Sequence, residues 1–321
     1  MNWLGIFLLS GLISYLVTPL VRKFALRFNI LAYPSTRKIH THPIPQAGGL
    51  AIYLGITLAL VIAFYTGLIG DVVLRVSFLH KLKFLLLGST FILVAGLLDD
   101  RFVFRAWQKL LAQIIGALIL IIGGIKIEFL SNPFNGLLFL AKWQSIALSM
   151  LWIVGLTNAM NFMDGLDGLL AGISGISAIV LSIVAFQTGQ LGVAFVLISI
   201  AGSALGFLRY NFNPAKIFMG DTGSLTLGYI LAGLSIMGAL KSTTTLAVGI
   251  PLLVFGVPIF DITYAIFRRF KKREPIFKPD KEHLHHKLLK LGLTQVQAVI
   301  LIYFICGLLG IAALAINSCS P

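Results

Sequence analysis

The stretch TNAMNFMDGLDGLLAG, residues 157–172, carries Asn158, Asn161, Asp164 and Asp167 at three-residue intervals inside an apolar run. That spacing sets four polar side chains on one slowly drifting face of a helix. A helix-end cap explains one Asn or Asp, but not four. Gly165 and Gly168 would let the backbone come close to a ligand. The row therefore needs something polar to face.

Three further clusters have the same character. GLLDDRF sets Asp99 beside Asp100. Adjacent carboxylates repel unless a cation lies between them, so the pair suits a metal or a cationic partner; a polar stop with Arg101 is the plainer reading. NFNPAKIFMGDTGSLTLG puts Asp221 just before a small-residue turn and a new helix. The N–H groups of Thr222, Gly223 and Ser224 would there favour phosphate oxygens, and Asp221 is suited to Mg2+; a simple N-cap is the rival. Phe218 is near enough to stack on a base; packing in the core or against lipid is the plainer reading. The basic stretch FRRFKKREPIFKPDKEHLHHKLLKLGL holds His283, His285 and His286 with Asp280. These could meet the phosphates of a nucleotide sugar or ligate zinc, but no CxxC partner or zincin spacing accompanies them. STRKIHTHPIPQAGG combines Arg37, Lys38 and His40 with a Pro/Gly turn that would anchor basic residues at a membrane face. No GxGxxG, Walker loop or Ser–His–Asp order is present.

The elements that must position these groups are apolar. Of the 321 residues, 58% are hydrophobic and 11% charged, with a mean hydropathy of +0.97. Soluble domains carry roughly 25% charged residues, so the chain reads as all-α and polytopic in a membrane. A spanning helix needs about 20 apolar residues. Ten windows meet that, near 2–20, 48–68, 82–98, 108–124, 144–160, 168–186, 190–208, 223–240, 244–266 and 293–316, with an eleventh span or a broken helix expected around Pro251 and Pro258. Residues 1–321 read as a single transmembrane domain.

Residues 1–20 have no basic residue ahead of the apolar run and no small-residue cleavage site, so they read as a span rather than a cleaved signal. Of the 25 Lys and Arg, all but Arg75, Lys81, Lys83, Lys126, Lys142 and Lys241 fall between odd and even spans. The positive-inside rule then puts both termini outside and those turns in the cytoplasm. Topology and anionic lipid account for the net charge of +14 without any nucleic acid. Nine of the 11 acids and five of the six histidines collect at that same face, Asp71, Glu128 and His80 being the exceptions. Ionisable groups gathered there mark a functional site. Cys306 and Cys319 lie too far apart along a helix to pair.

Taken in order and spacing, GLLDDRF, TNAMNFMDGLDGLLAG, FNPAKIFMGDTGSLTLGY and PDKEHLHHKLL resemble the polyprenyl-phosphate N-acetylhexosamine-1-phosphate transferases, glycosyltransferase family 4. The likeness runs from RKIHTHPIPQAGG to His286 and is closer to the WecA/TagO-type branch than to the MraY type, which has three consecutive histidines in place of HLHH. It implies a Mg2+-dependent enzyme, with Mn2+ able to stand in. That enzyme moves GlcNAc-1-phosphate, or a related HexNAc-1-phosphate, from a UDP-sugar to undecaprenyl phosphate and releases UMP. This would be the first membrane step of a cell-envelope polysaccharide such as lipopolysaccharide or teichoic acid, at the bacterial plasma membrane; a homodimer is compatible with it. By the resemblance Asp99, Asp100 and Asp164 are catalytic. Asp221 is the Mg2+ ligand and Asn161 the second protein ligand. Lys109 meets the phosphates, Phe218 stacks on uracil and Asp167 contacts uridine. Lys38, Asn158, His283, His285 and His286 complete the substrate-binding set.

Direct attack by the lipid phosphate is the favoured route, with Asp99 removing a proton or positioning the acceptor; an aspartyl-phosphate route stays open. Two readings compete. A transporter of anionic solutes would place polar groups at mid-membrane in matched halves. An intramembrane aspartyl protease using Met219–Asp221 would need a second aspartate in mid-span.

Overall fold

The computed structural model describes residues 2–34, 42–68, 76–132, 136–238, 249–273 and 283–319. Among these the chain forms α1 (Trp3–Arg27), α2 (Gly48–Tyr65), α3 (Val76–Phe102), α4 (Ala106–Ile122), α5 (Lys142–Phe162), α6 (Leu169–Gln187), α7 (Leu191–Asn211), α8 (Gly220–Met237), α9 (Gly249–Val254), α10 (Gly256–Lys271), α11 (Leu284–Lys290) and α12 (Gln295–Cys319). Two short antiparallel hairpins pair β1 (Leu31–Ala32) with β2 (Ile44–Pro45) and β3 (Phe129–Asn132) with β4 (Gly136–Phe139). The protein is a helical, multi-pass membrane protein.

Seven of the described helices, α1, α2, α3, α5, α6, α7 and α12, are long and apolar enough to cross a bilayer. The ten windows of the sequence differ from this at three places, each for its own reason. Helix α4 has 17 residues, which at about 1.5 Å rise spans roughly 26 Å of a hydrocarbon core about 30 Å thick. Helix α8 is buried at every residue except Asp221. It packs against α3, α5 and α2 rather than lipid, so it can carry Thr222, Ser224, Thr226 and Ser235. Their hydroxyls find partners inside the protein: Thr226 donates to the Thr222 carbonyl at 2.6 Å and Ser235 to that of Ala232 at 2.8 Å. The third window is the expected broken helix. Pro258 has no N–H for the Val254 carbonyl, which instead accepts from the Ser177 hydroxyl at 3.5 Å, and the helix restarts at Gly256.

Small residues let the helices approach closely, as they do wherever lipid offers no hydrophobic drive to association. A Cβ at Gly11 of α1 would sit 3.0 Å from the Gly202 carbonyl oxygen of α7. Ser203 of α7 donates to the Ile52 carbonyl of α2 at 2.8 Å. Tyr229 at the heart of α8 is fully buried and donates to the Gly116 carbonyl of α4 at 2.8 Å. A backbone strap joins the start of α2 to the approach to α8: Phe218 N–H to the Pro45 carbonyl at 2.8 Å, Gly48 to Phe218 at 2.9 Å and Gly49 to Met219 at 3.0 Å. The C-terminal ends of α3, α5 and α7, the N-terminal ends of α4, α8, α11 and α12, and the approaches to α2 and α6 thereby supply the walls of one cavity.

Candidate active site

That cavity has a volume of about 680 Å³. Asp99, Asp100, Asp164, Asp167 and Asp221 line it, with Lys109 as the one lysine or arginine among its described lining residues. The Lys109 ammonium lies 2.6 Å from Asp99 Oδ2 and 2.5 Å from Asp221 Oδ2. It brings a carboxylate from the foot of α3 and one from the head of α8 onto a single cation. Asp99 also accepts the Phe104 N–H at 2.7 Å, which folds the chain back after α3. Val103 in that turn has φ +56°, a left-handed conformation that is costly for a β-branched residue. The turn sets the start of α4, and so Lys109, opposite Asp99.

Asp100 has a different task. Its Oδ1 accepts the Asp221 N–H at 2.8 Å, and its Oδ2 accepts both the Thr222 N–H at 3.0 Å and the Thr222 hydroxyl at 2.5 Å. It caps the first turn of α8 from another helix. The N–H groups expected to await phosphate include that of Thr222, which is committed to Asp100. Gly220, with φ +71°, passes so near this carboxylate that a side chain there would meet it.

Asn161 donates to Asp221 Oδ1 at 2.6 Å and to the Ser224 hydroxyl at 2.7 Å, so its side-chain carbonyl oxygen is the atom that could hold a metal. Asp164 accepts the Gly220 N–H; burial, then the charges of Asp221, Asp100 and Asp167, raises its carboxyl well above the usual range. Asp167 accepts from Asn213 Nδ2 and from the Ala215 N–H, both at 3.0 Å, which ties the α5–α6 turn to the loop before α8. Phe218 and His286 stand in the cavity wall.

Three residues expected at the substrate are not in that wall. Asn158 lies one turn deeper in α5, where it exchanges hydrogen bonds with Gln113 of α4 at 2.5 and 3.2 Å and donates to the Val154 carbonyl at 2.8 Å. The three-residue spacing drifts around the helix, so Asn158 reaches a neighbouring helix while Asn161 reaches the cavity. His283 and His285 are buried, at 6% and 2% exposure, behind His286. Burial, then the neighbouring His286 ring, lowers the His285 imidazole from 6.5 to about 3. Its ring lies against Gly165, so the absent Cβ there makes room for protein rather than for ligand. Lys38 lies outside the described residues.

Gln46, Asn213, Gln295 and Asp261 are functional candidates that the motifs alone did not single out. Gln46 donates to the Asp100 carbonyl at 2.9 Å, and Asn213 donates to Gln295 at 3.0 Å; all three line the cavity. Asp261 was legible only as one more acid at the same face.

Five acidic side chains surround one lysine in this cavity. Among the described residues, no three of His, Cys, Asp or Glu converge as a closed metal cage would require. Mg2+ is usually held by one or two carboxylates together with substrate phosphates, so Asp221 with Asn161 fits it.

A family model described as "Glycosyl transferase family 4" matches residues 82–239, from within α3 through the end of α8. The chain is 39% identical, over 97% of its own length and 84% of the relative's, to the "Probable undecaprenyl-phosphate N-acetylglucosaminyl 1-phosphate transferase" of Bacillus subtilis. It belongs to glycosyl transferase family 4. A Mycolicibacterium smegmatis relative, named "Decaprenyl-phosphate N-acetylglucosaminephosphotransferase", is 36% identical over 95% of this chain and 80% of that one. The "Phospho-N-acetylmuramoyl-pentapeptide-transferase" of Streptococcus mutans is 31% identical over 90% and 89%. Among these three, identity is highest with the two N-acetylglucosaminyl enzymes, in keeping with the WecA/TagO-type branch of family 4. The region matched by the family model contains Asp99, Asp100, Lys109, Asn161, Asp164, Asp167, Phe218 and Asp221.

Proposed function

We propose that this chain transfers GlcNAc-1-phosphate from UDP-GlcNAc to undecaprenyl phosphate, with Mg2+, at the cytoplasmic face of the membrane. The reading is carried by Lys109, held 2.6 Å from Asp99 and 2.5 Å from Asp221 in the wall of an acidic cavity at helix ends. The names of its relatives supply the donor sugar and the polyprenyl-phosphate acceptor. UDP as the carrier, Mg2+ and the cytoplasmic orientation follow from the family resemblance and from the distribution of basic residues.

In this reaction an oxygen of the lipid phosphate forms a bond to the sugar-bearing β-phosphorus. The bond from that phosphorus to the bridging oxygen breaks, and UMP leaves with the bridging oxygen. Two anions must meet, so neutralising charge is the main task. The lipid phosphate has a second pKa of about 6 and is largely a dianion near neutrality, so a strong base is not required. Lys109 would share the phosphate charge, and Asp99 beside it would orient the acceptor or take a residual proton. Asp100 would hold the head of α8, keeping Asp221 aimed at the cavity. Asp221 and the Asn161 carbonyl would hold Mg2+, whose positive charge would be shared by the diphosphate and the departing UMP. Asp167 and Phe218 would receive the uridine.

The site at a helix-end face suits one substrate from water and one from the bilayer. The protease reading is disfavoured because a proteolytic pair shares a proton between two carboxyls, whereas an ammonium stands between Asp99 and Asp221. The deciding experiment is UMP release by purified protein in detergent with UDP-GlcNAc, undecaprenyl phosphate and Mg2+, beside an Asp221→Ala control. Release that needs the lipid and is lost in the control is expected. Turnover with only another UDP-HexNAc would change the sugar. Silence from folded protein with every UDP-sugar would overturn the reading.

A further inference from the structure

Outside the acidic cavity, one buried ionisable cluster is unused by the reaction above. Asp261, in the second turn of α10, is 4% exposed. Its Oδ2 lies 2.7 Å from His283 Nδ1, and its Oδ1 accepts the Leu284 N–H at 2.7 Å. Both oxygens thus hold two consecutive residues at the start of α11. One turn further along α10, Tyr264 makes a second contact with α11, its ring centroid 4.1 Å from the Lys287 ammonium. Residues 272–283 separate the two helices in sequence, so these contacts join directly what the chain links through a connecting segment.

From His283 a row of rings leads to the cavity. His283 stacks on Phe162 at the end of α5, centroids 5.2 Å apart and planes 20° apart. Its ring also lies nearly parallel to that of His285, at 6.0 Å and 6°. His285 lies 4.3 Å from His286, which lines the cavity, and its ring also fills the space over Gly165 in the turn between Asp164 and Asp167. A shift of His283 therefore reaches both the cavity wall and the acidic turn. A carboxylate buried this deeply needs its partners, and removing one leaves an uncompensated charge. A histidine whose Nδ1 meets a carboxylate has its tautomer and ring plane fixed by that contact.

We propose that Asp261 is a positioning residue for the sugar-donor side of the site: it latches α10 to α11 through His283 and so fixes His286 and the Asp164–Asp167 turn. The inference rests on the transferase reading. It adds a residue that touches neither substrate.

The experiment compares wild type with Asp261→Asn, Asp261→Glu and His283→Gln, and with the Asp261→Asn/His283→Gln double variant. Initial rates of UMP release are measured against UDP-GlcNAc and, separately, against undecaprenyl phosphate, with unfolding midpoints recorded in the same detergent. Substituting the outer partner of a metal-bound histidine typically costs about 10–100-fold; Asp261 stands in the same relation to His283, and Asp261→Asn should raise the donor KM by that order. The acceptor KM should stay level, Asp261→Glu should recover part of the loss, and the double variant should be no worse than His283→Gln alone. Should Asp261→Asn not fold, Asp261→Glu and His283→Gln still report the donor-to-acceptor split. Wild-type kinetics in Asp261→Asn, an equal change in both KM values, or additive losses in the double variant would overturn the latch while leaving the transferase intact. A wild type that releases no UMP from any UDP-sugar would remove the transferase reading and the latch with it.

Discussion

Asp100 meets Thr222 twice through one oxygen, accepting its N–H at 3.0 Å and its hydroxyl at 2.5 Å. Neighbouring acids of α3 therefore do different work: Asp100 holds the head of α8, while Asp99 faces the ammonium of Lys109. Replacing Asp100 with alanine strands the Asp221 and Thr222 N–H groups and the Thr222 hydroxyl. A buried donor left without a partner costs about 1–3 kcal/mol. Asp100→Ala should lower the unfolding midpoint as well as the rate. Asp99→Asn, which keeps an oxygen for Phe104 N–H, should lower the rate with the midpoint nearly held. Equal midpoints for both variants would contradict this division.

Lys109 is the cation that two carboxylates share. Lys109→Met keeps much of the stem but leaves Asp99 and Asp221 facing each other across the gap. Losing one preorganised charge at a reacting centre typically costs about 10²–10³ in kcat. UMP release should fall by that order at saturating substrates. A variant within a few-fold of wild type would mean that Lys109 is structural and that the phosphates lie elsewhere.

How far the sequence foretold this can be judged residue by residue. Local spacing was sufficient for the acidic face, because Asp99, Asp164, Asp167 and Asp221 lie next to helix ends that alternate across the membrane. It failed for Asn158, since three-residue steps drift around a helix and the partner, Gln113, belongs to α4. It failed also for His283 and His285, whose burial depends on Asp261 and Phe162, distant in sequence. Helix α8 was legible as apolar, but its central position was not. Its Gly, Ser and Thr content records packing on every side, which hydropathy cannot distinguish from a weak span.

The proposed Mg2+ site gives a third expectation. EDTA should stop UMP release, Mg2+ should restore it, and Mn2+ should substitute, since oxygen donors select hard cations. Asp221→Asn should raise the Mg2+ concentration for half-maximal rate more than it raises the donor KM. Release indifferent to EDTA would show that Lys109 alone neutralises the diphosphate.

The last expectation concerns acid stability. His285 titrates near 6.5 in an unfolded chain but is pushed down to about 3 in the folded protein, by burial first and then by His286. Between those values the unfolded chain binds a proton that the folded one refuses, so falling pH favours unfolding. The contribution of neutral His285 is complete above about pH 6.5 and is lost progressively as the pH drops toward 3. Unfolding midpoints of the detergent-solubilised protein should therefore decline through that window. His285→Asn, which has no titrating ring, should show a shallower decline even if its midpoint at neutral pH is lower. Parallel curves for the two proteins would show that groups other than His285 set the acid sensitivity.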